Sequence, residues 1–443
     1  MKPSTLFLCA ALLLTGADAT AQTAQTAQRT WTLDECVAYA VDHNLSVKRQ
    51  ELSCEQQQQR LEAARTSMLP SVSGGVSQNF SFGRGLQSDN TYINTNVGNT
   101  SFSIGADMPL FTGLQTYHNI ELSKLNLASS LETLRQAQED VSLQVASLYL
   151  NVLYAKEVLA TAVEQDSLAT EQLQRIQVYR ENGKASESDV LQARSAQAQD
   201  QLAVVQAEGN LQMALLDLTQ LLELDSPDGF DVAMPEATPD DVALSQPDDV
   251  YGYAVDNRPA VRAAAYQLEG AAHTVGMAKG AWLPTLSLSA GLGSSYYDAG
   301  SVAPQPFREQ MKHNFNQYVG LSLSVPIFNR MQTLSSVRQA RAAQDSYGIQ
   351  LEETRKALYK EIQQAWTNAV TARERYAGSC TALDAAKASL DVMAEKYAVG
   401  QATATEYNEV KSAWFQAAAS LSQAKYEYLF RAKILEFYRT GSL

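Results

Sequence analysis

The apolar positions of this chain change their period at Leu69-Pro70. Upstream, Thr32 and Glu35 form a capping-box signature, and from there to about Met68 nothing breaks a helix. Leu69 ends it, because the residue before a proline is pushed out of the helical region. Downstream, Val72, Gly74 and Val76, then Phe80 and Phe82, alternate with Ser71, Ser73, Gly75, Ser77, Asn79 and Ser81. That spacing predicts a strand with one apolar and one polar face. A polar stretch from Gly83 to Asn99 reads as a loop, after which Phe102, Ile104, Ala106 and Met108 alternate again. A long helix follows from about Leu114 to Asn182, along which Val141, Val145, Leu148, Val152, Ala155 and Leu159 step by three and four as a coiled-coil seam. Gly183 stops it by supplying the left-handed conformation of a C-terminal cap, and Ser186 with Asp189 opens a return helix to about residue 222.

The same order then returns. Tyr39-Ala40-Val41-Asp42 recurs as Tyr253-Ala254-Val255-Asp256, and Leu69-Pro70 as Leu283-Pro284, both 214 positions on. Pro109, Phe111 and Gly183 recur as Pro326, Phe328 and Gly400, 217 positions on. Leu286, Leu288, Ala290 and Leu292 make one strand and Val319, Leu321, Leu323 and Val325 the next, before a helix from about Met331 to Val399 whose seam runs from Ile362 to Tyr397. Thr403 and Glu406 form the matching capping box beyond Gly400. This is a tandem duplication, with a period far longer than the roughly 20 to 50 residues of a solenoid. Each half is expected to hold one β-hairpin of strands about 10 residues long, enough to cross a bilayer at a tilt.

Helix lengths constrain how the pieces stack. At 1.5 Å per residue the first helix spans about 54 Å, the return helix about 58 Å and the long helix about 103 Å, so two short helices end to end match one long one. Residues 223–249, with Pro227, Pro235, Pro239 and Pro247 among Asp225, Asp228, Asp231, Glu236, Asp240 and Asp241, then join the repeats as a belt at mid-height. The expected organisation is a signal peptide over 1–21, a first repeat over 22–222, the linker over 223–249 and a second repeat over 250–443. The signal peptide rests on Lys2, the apolar run Leu6 to Leu14 and Ala17-Asp18-Ala19. Cys9 lies inside that run without a small residue before it, so no lipidated N-terminus is expected.

Composition narrows the function. A formal charge of −14 and a pI near 4.9 argue against nucleic acid. Cys36, Cys54 and Cys380 are too scattered for a disulfide framework. His43, His118, His273 and His313 show no metal-ligand spacing, and no phosphate-binding loop or nucleophile elbow is present, so no catalytic residue, cofactor or metal is expected.

Four strands cannot close a barrel, and an open edge in lipid leaves backbone groups unsatisfied. Two copies give eight strands, whose interior side chains nearly fill, and three give 12, an even number suited to a pore, with apolar faces toward lipid and Ser, Asn and Gln toward the lumen. The expected fold is therefore mainly α with membrane β, in which a long coiled-coil helical barrel continues into a 12-stranded trimeric transmembrane β-barrel. Phe80, Phe82, Tyr296, Tyr297, Phe315 and Tyr318 are candidates for an interfacial aromatic belt.

In this duplicated order the chain resembles the TolC-like outer membrane efflux protein family over essentially its whole mature length. The resemblance is carried by Trp31-Thr32-Leu33-Asp34-Glu35, Leu69-Pro70, Pro109-Leu110-Phe111-Thr112-Gly113 and the stretch from Tyr397-Ala398-Val399-Gly400 to Glu409. It implies a homotrimeric channel-tunnel in the outer membrane of a Gram-negative bacterium, extending into the periplasm. Its helical tips, turning at Gly183 and Gly400, would dock to a periplasmic adaptor protein and an inner-membrane pump or ABC exporter, with transport and no catalysis. It further implies a pore gate of Tyr, Asp and Arg ringed by acids, which Tyr397, Asp189, Glu406 and Glu409 match, while Ala402 stands where some members carry the arginine. Glu406 and Glu409 are three apart and share a helix face, so three copies would gather their carboxylates around one axis and favour cations. The alternative for Asp189 and Glu406 is helix capping, for Tyr397 core packing and for Glu409 a solvated face. The rival whole-chain reading is a periplasmic adaptor-like coiled-coil protein of an export system, which would need one hairpin where this chain has two.

Overall fold

The computed structural model describes residues 29–86, 91–234, 244–298 and 305–441. The expected signal peptide, and the belt residues Pro235, Glu236, Pro239, Asp240 and Asp241, lie outside the described residues. In chain order the elements of the first repeat are β1 (Arg29–Trp31), α1 (Leu33–His43), α2 (Leu45–Thr66), β2 (Ser71–Leu86), β3 (Tyr92–Thr112), α3 (Gln115–Glu181) and α4 (Glu187–Leu221). After β4 (Phe230–Val232) come α5 (Pro247–Asn257), α6 (Pro259–Gly280), β5 (Thr285–Asp298), α7 (Phe307–His313), β6 (Asn316–Ser324), α8 (Gln332–Ala398) and α9 (Ala404–Thr440). The duplication is visible in the helix lengths. α1 and α5 each have 11 residues, α2 and α6 each 22, and α3 and α8 each 67. At 1.5 Å per residue the 67-residue helices are about 100 Å long.

The single helix expected from Leu33 to Met68 is two. Asn44 takes extended backbone angles (φ −61°, ψ 131°), ending α1, and its side chain accepts the Ser46 N–H at 2.9 Å to cap α2. The same break falls 214 residues on at Arg258 (φ −70°, ψ 132°), where Pro259 disfavours a helical conformation in the residue before it. Pro259 was the sign of this break in the sequence, and Asn44, a strong N-cap residue, was its weaker counterpart.

The four long strands form one antiparallel sheet in the order β2-β3-β5-β6. Val72 faces Ala106, Ile104 faces Leu292, and Leu288 faces Leu321. Directly paired residues share a face. The apolar rows of all four strands therefore merge into one face, and Ser73, Ser77, Ser103, Ser287, Ser289 and Ser322 lie on the other. The strands have 16, 21, 14 and 9 residues, against about ten expected. In the first repeat the polar stretch continues the hairpin, with Gly83 paired to Thr95 and Gly85 to Ile93. Its Thr, Ile and Tyr residues suit a pleated surface whether or not it is buried. The aromatic residues also divide. Phe80, Phe82 and Tyr296 belong to the apolar face. Tyr318 lies on the polar face, its ring so close over Gly291 that a Cβ there would meet it at 2.7 Å, and Tyr297 shares that face by register.

At mid-height β1 pairs in parallel with β4, Trp31 beside Val232. Tyr149, one residue past the midpoint of α3, donates its hydroxyl to Ala233 O at 2.6 Å, and Lys156 donates to Val232 O at 3.0 Å while also pairing with Asp231. Val145, Val152, Leu153, Leu218 and Leu222 pack here with Cys36 in the largest core cluster. Burial, reinforced by the Glu35 carboxylate, pushes the Cys36 thiol up to about 12, so it remains a protonated packing group. The second repeat builds a smaller core from Val250, Ala254, Leu358, Ile362 and Leu435. α5 begins at Pro247, three residues inside the stretch read as linker.

Candidate functional site

The candidate site is the pair of tips where α3 turns into α4 and α8 into α9. Gly183 (φ +71°) and Gly400 (φ +76°) are both left-handed, as a helix-ending glycine requires. Behind each, a backbone bond closes the turn: Lys184 N–H to Tyr179 O at 2.8 Å, and Gln401 N–H to Lys396 O at 2.8 Å. Both capping boxes form. Asp189 accepts from the Ser186 N–H and hydroxyl, each at 2.8 Å. Glu406 accepts from the Thr403 N–H at 2.8 Å and from its hydroxyl at 2.9 Å. These bonds, the backbone one foremost, hold both carboxyls below the usual carboxylate range, so both are ionised at neutral pH.

The two tips meet. Gln192 of α4 donates to Thr405 Oγ1 of α9 at 2.9 Å, and between the tips lies a cleft of 500 Å³ whose lining includes Arg175, Ile176, Asp189, Gln192 and Tyr397. Tyr397 stacks on Tyr407 with ring centroids 5.1 Å apart and planes 19° from parallel, and its hydroxyl hydrogen-bonds the Gln172 side chain. Burial raises the Tyr397 pKa, which keeps this phenol protonated. Asp189 and Tyr397 thus share the cleft. Glu406 and Glu409 do not line it; both are exposed on the first turns of α9. Arg175 was not singled out from the sequence. It sits on the opposite long helix from Tyr397, where only the packing of the two hairpins brings it into the cleft.

Farther from the tips the hairpins are tied by a buried ion pair. Lys411 of α9, 5% exposed, places Nζ 3.0 Å from Asp200 Oδ2 of α4 and 3.2 Å from Gln165 O of α3. Higher again, Glu157 Oε1 accepts from Lys425 at 2.8 Å and from the Tyr426 hydroxyl at 2.7 Å. Near the sheet, two of the scattered histidines come together, His118 Nδ1 and His273 Nδ1 lying 3.1 Å apart across α3 and α6. Burial first, and then the neighbouring His273, lowers the His118 pKa. One ring therefore donates and the other accepts, and among the described residues no group of three or more potential ligands could hold a metal.

Comparison with known proteins agrees with this architecture. The chain is similar to outer membrane efflux protein BepC of Brucella suis, at 23% identity across 95% of this chain and 87% of that one. It is also similar to outer membrane protein TolC of Escherichia coli, at 24% identity across 84% of this chain and 74% of that one. The crystal structure of the outer membrane protein VceC from Vibrio cholerae superposes with a TM-score of 0.75 at 17% identity, covering 93% of this chain and 96% of that one. The family described as outer membrane efflux protein matches residues 37–223 and again 250–436, once for each repeat. With both repeats matched, the chain belongs to the outer membrane efflux protein family, the channel components of efflux and type I secretion systems in the outer membrane.

Proposed function

We propose that three copies of this chain close a tunnel that conducts cargo passively across the outer membrane and periplasm, without catalysis. Its tips would dock at Gly183 and Gly400 to a periplasmic adaptor and, through it, to an inner-membrane pump or ABC exporter. The observation that carries this is that each chain exposes the counterparts of surfaces it also buries. Within the chain β3 pairs with β5 and α3 packs along α6, which joins the first repeat to the second. Shifted by the duplication, the same joint is β6 with β2 and α8 with α2, and those partners belong to different copies. Accordingly Leu45 on α2 is 64% exposed where its counterpart Pro259 is buried, and Ile349 on α8 is 62% exposed where its counterpart Glu132 is buried. Three copies of a four-stranded sheet give 12 strands, within the range of bacterial barrels. The domain boundaries that follow are a first repeat ending near 222 and a second beginning near 250.

At the tips, Arg175 of the first hairpin lines the same cleft as Asp189 of that hairpin and Tyr397 of the other, and supplies there the cation that Ala402 lacks. Glu406 and Glu409 ring the mouth, Glu406 doubling as a cap. Since Glu409 caps nothing, Glu409→Ala separates the two roles. In planar bilayers the trimer is expected to prefer cations, and Glu409→Ala to lower that preference several-fold with the trimer intact. An unchanged ion preference in Glu409→Ala would remove the ring from the account.

A further inference from the structure

α7 lies where β6 stops short. β5 runs to Asp298, yet β6 pairs with it only as far as Gly293. Gln310 stands in for the missing strand: its side chain accepts the Tyr297 N–H at 2.9 Å and donates to Tyr297 O at 3.0 Å. Ser294 Oγ donates to Met311 O at 2.8 Å, and Asn314 Nδ2 donates to Ser295 O at 2.6 Å. Docked this way, Phe307 sets its ring 6.2 Å from Phe102 and 5.5 Å from Tyr296, both on the apolar face of the sheet. Between helix and sheet remains a cavity of 370 Å³ lined by Val76, Phe102, Ile104, Leu292, Met311 and Phe315.

The surroundings of this groove are amphipathic. Gln78 and Thr100 hydrogen-bond each other in the row just beyond Val76 and Phe102, a polar step in the apolar face, with Phe80 and Phe82 following. Aromatic residues at such a level mark the headgroup region of a bilayer. On α7, Arg308 and Lys312 are four apart and so share a helix face. Both are exposed, and neither forms an ion pair among the described residues. A helix that carries Arg308 and Lys312 on one face, with Glu309 its one acid, over an apolar slot offers phosphate and acyl chain their partners side by side.

We propose that this groove seats an acyl chain of a phosphorylated outer-leaflet lipid, whose phosphate is held by Arg308 and Lys312. The site rests on the barrel assembly proposed above, in which this face meets lipid, and one occurs per protomer. The test is native mass spectrometry of the full-length protein released from detergent after incubation with diphosphorylated lipid A, or with the same lipid stripped of its phosphates. The wild type is expected to appear as a trimer retaining up to three phosphorylated lipids. Retention should fall at least ten-fold in the double variant Arg308→Gln, Lys312→Gln, in the groove-filling variant Ile104→Trp, and with the dephosphorylated lipid. Arg308→Lys should retain lipid. An intact trimer with equal retention in every arm would overturn the site alone, and a monomer in the wild-type spectrum would overturn the assembly and the site with it.

Discussion

Replacing Gly280 by alanine is expected to destabilise the protein by about 1–3 kcal/mol, the usual cost of overpacking, even though alanine is the better helix former. Gly280 closes α6 where the helices give way to the sheet, and a Cβ there would lie 2.4 Å from Gly113 O and 2.8 Å from Gln115 Cγ. Gly113 reciprocates: its own Cβ would lie 2.4 Å from Gly280 O and 3.0 Å from Leu283 Cβ. Two backbones are thus in contact, and neither can retreat, because Gly113 links β3 to α3 and Gly280 links α6 to β5. Gly113 is in addition left-handed at φ +63°, so Gly113→Ala adds about 1–2 kcal/mol of backbone strain and is the more damaging of the two. A glycine in an open setting should behave oppositely. Nothing lies within 4 Å of a Cβ on Gly378 inside α8, and Gly378→Ala should stabilise by up to about 1 kcal/mol. Denaturant midpoints of the three variants check the order, and a stabilised Gly280→Ala would show the contact to be looser than it stands.

Lys411→Ala should cost about 3–5 kcal/mol, the range for removing one member of a buried ion pair. Its partner Asp200 keeps only 13% of its side chain exposed, so the carboxylate left behind can recover little hydration. The cost falls on the joint between the hairpins, because Lys411 belongs to the second and both Asp200 and Gln165 to the first. Amide hydrogen exchange is therefore expected to quicken along the first turns of α9 and the facing part of α4, while the equatorial core around Tyr149 keeps its protection. The double variant Lys411→Met, Asp200→Leu should regain most of the stability, since apolar replacement of a buried pair is often neutral. If the single and double variants are equally weak, packing of the lysine stem and not its charge is what counts.

Much of this architecture was written in the sequence, for identifiable reasons. The long helices read as Leu114–Asn182 and Met331–Val399 are Gln115–Glu181 and Gln332–Ala398, because a glycine cap closes one end and a change of period marks the other. The capping residues Asp189 and Glu406 were legible for the same reason, since a cap is a contact over three residues. The break at Asn44 was not, because one residue in extended conformation leaves the apolar spacing on either side intact. α7 escaped because seven residues hold under two helical turns, too few for a period to show, and its position depends on a gap left by β6. Arg175 at the tip, Lys411 in the coiled coil and the His118–His273 contact were invisible for a common reason. Each joins helices whose facing residues are far apart in the chain, 211 positions for Lys411 with Asp200 and 155 for the histidines.

The central claim is that the joint made inside each chain is repeated between chains. His118 on α3 touches His273 on α6, and the duplication carries these positions to Ser335 on α8 and Gln59 on α2. Oxidation of cells expressing the double variant Gln59→Cys, Ser335→Cys, followed by denaturing electrophoresis, measures that contact directly. A ladder that rises through dimer and stops at a covalent trimer is the expected result, with no such product from either single variant. A double variant that stays monomeric, or a ladder that climbs past trimer, would contradict the closed three-copy tunnel.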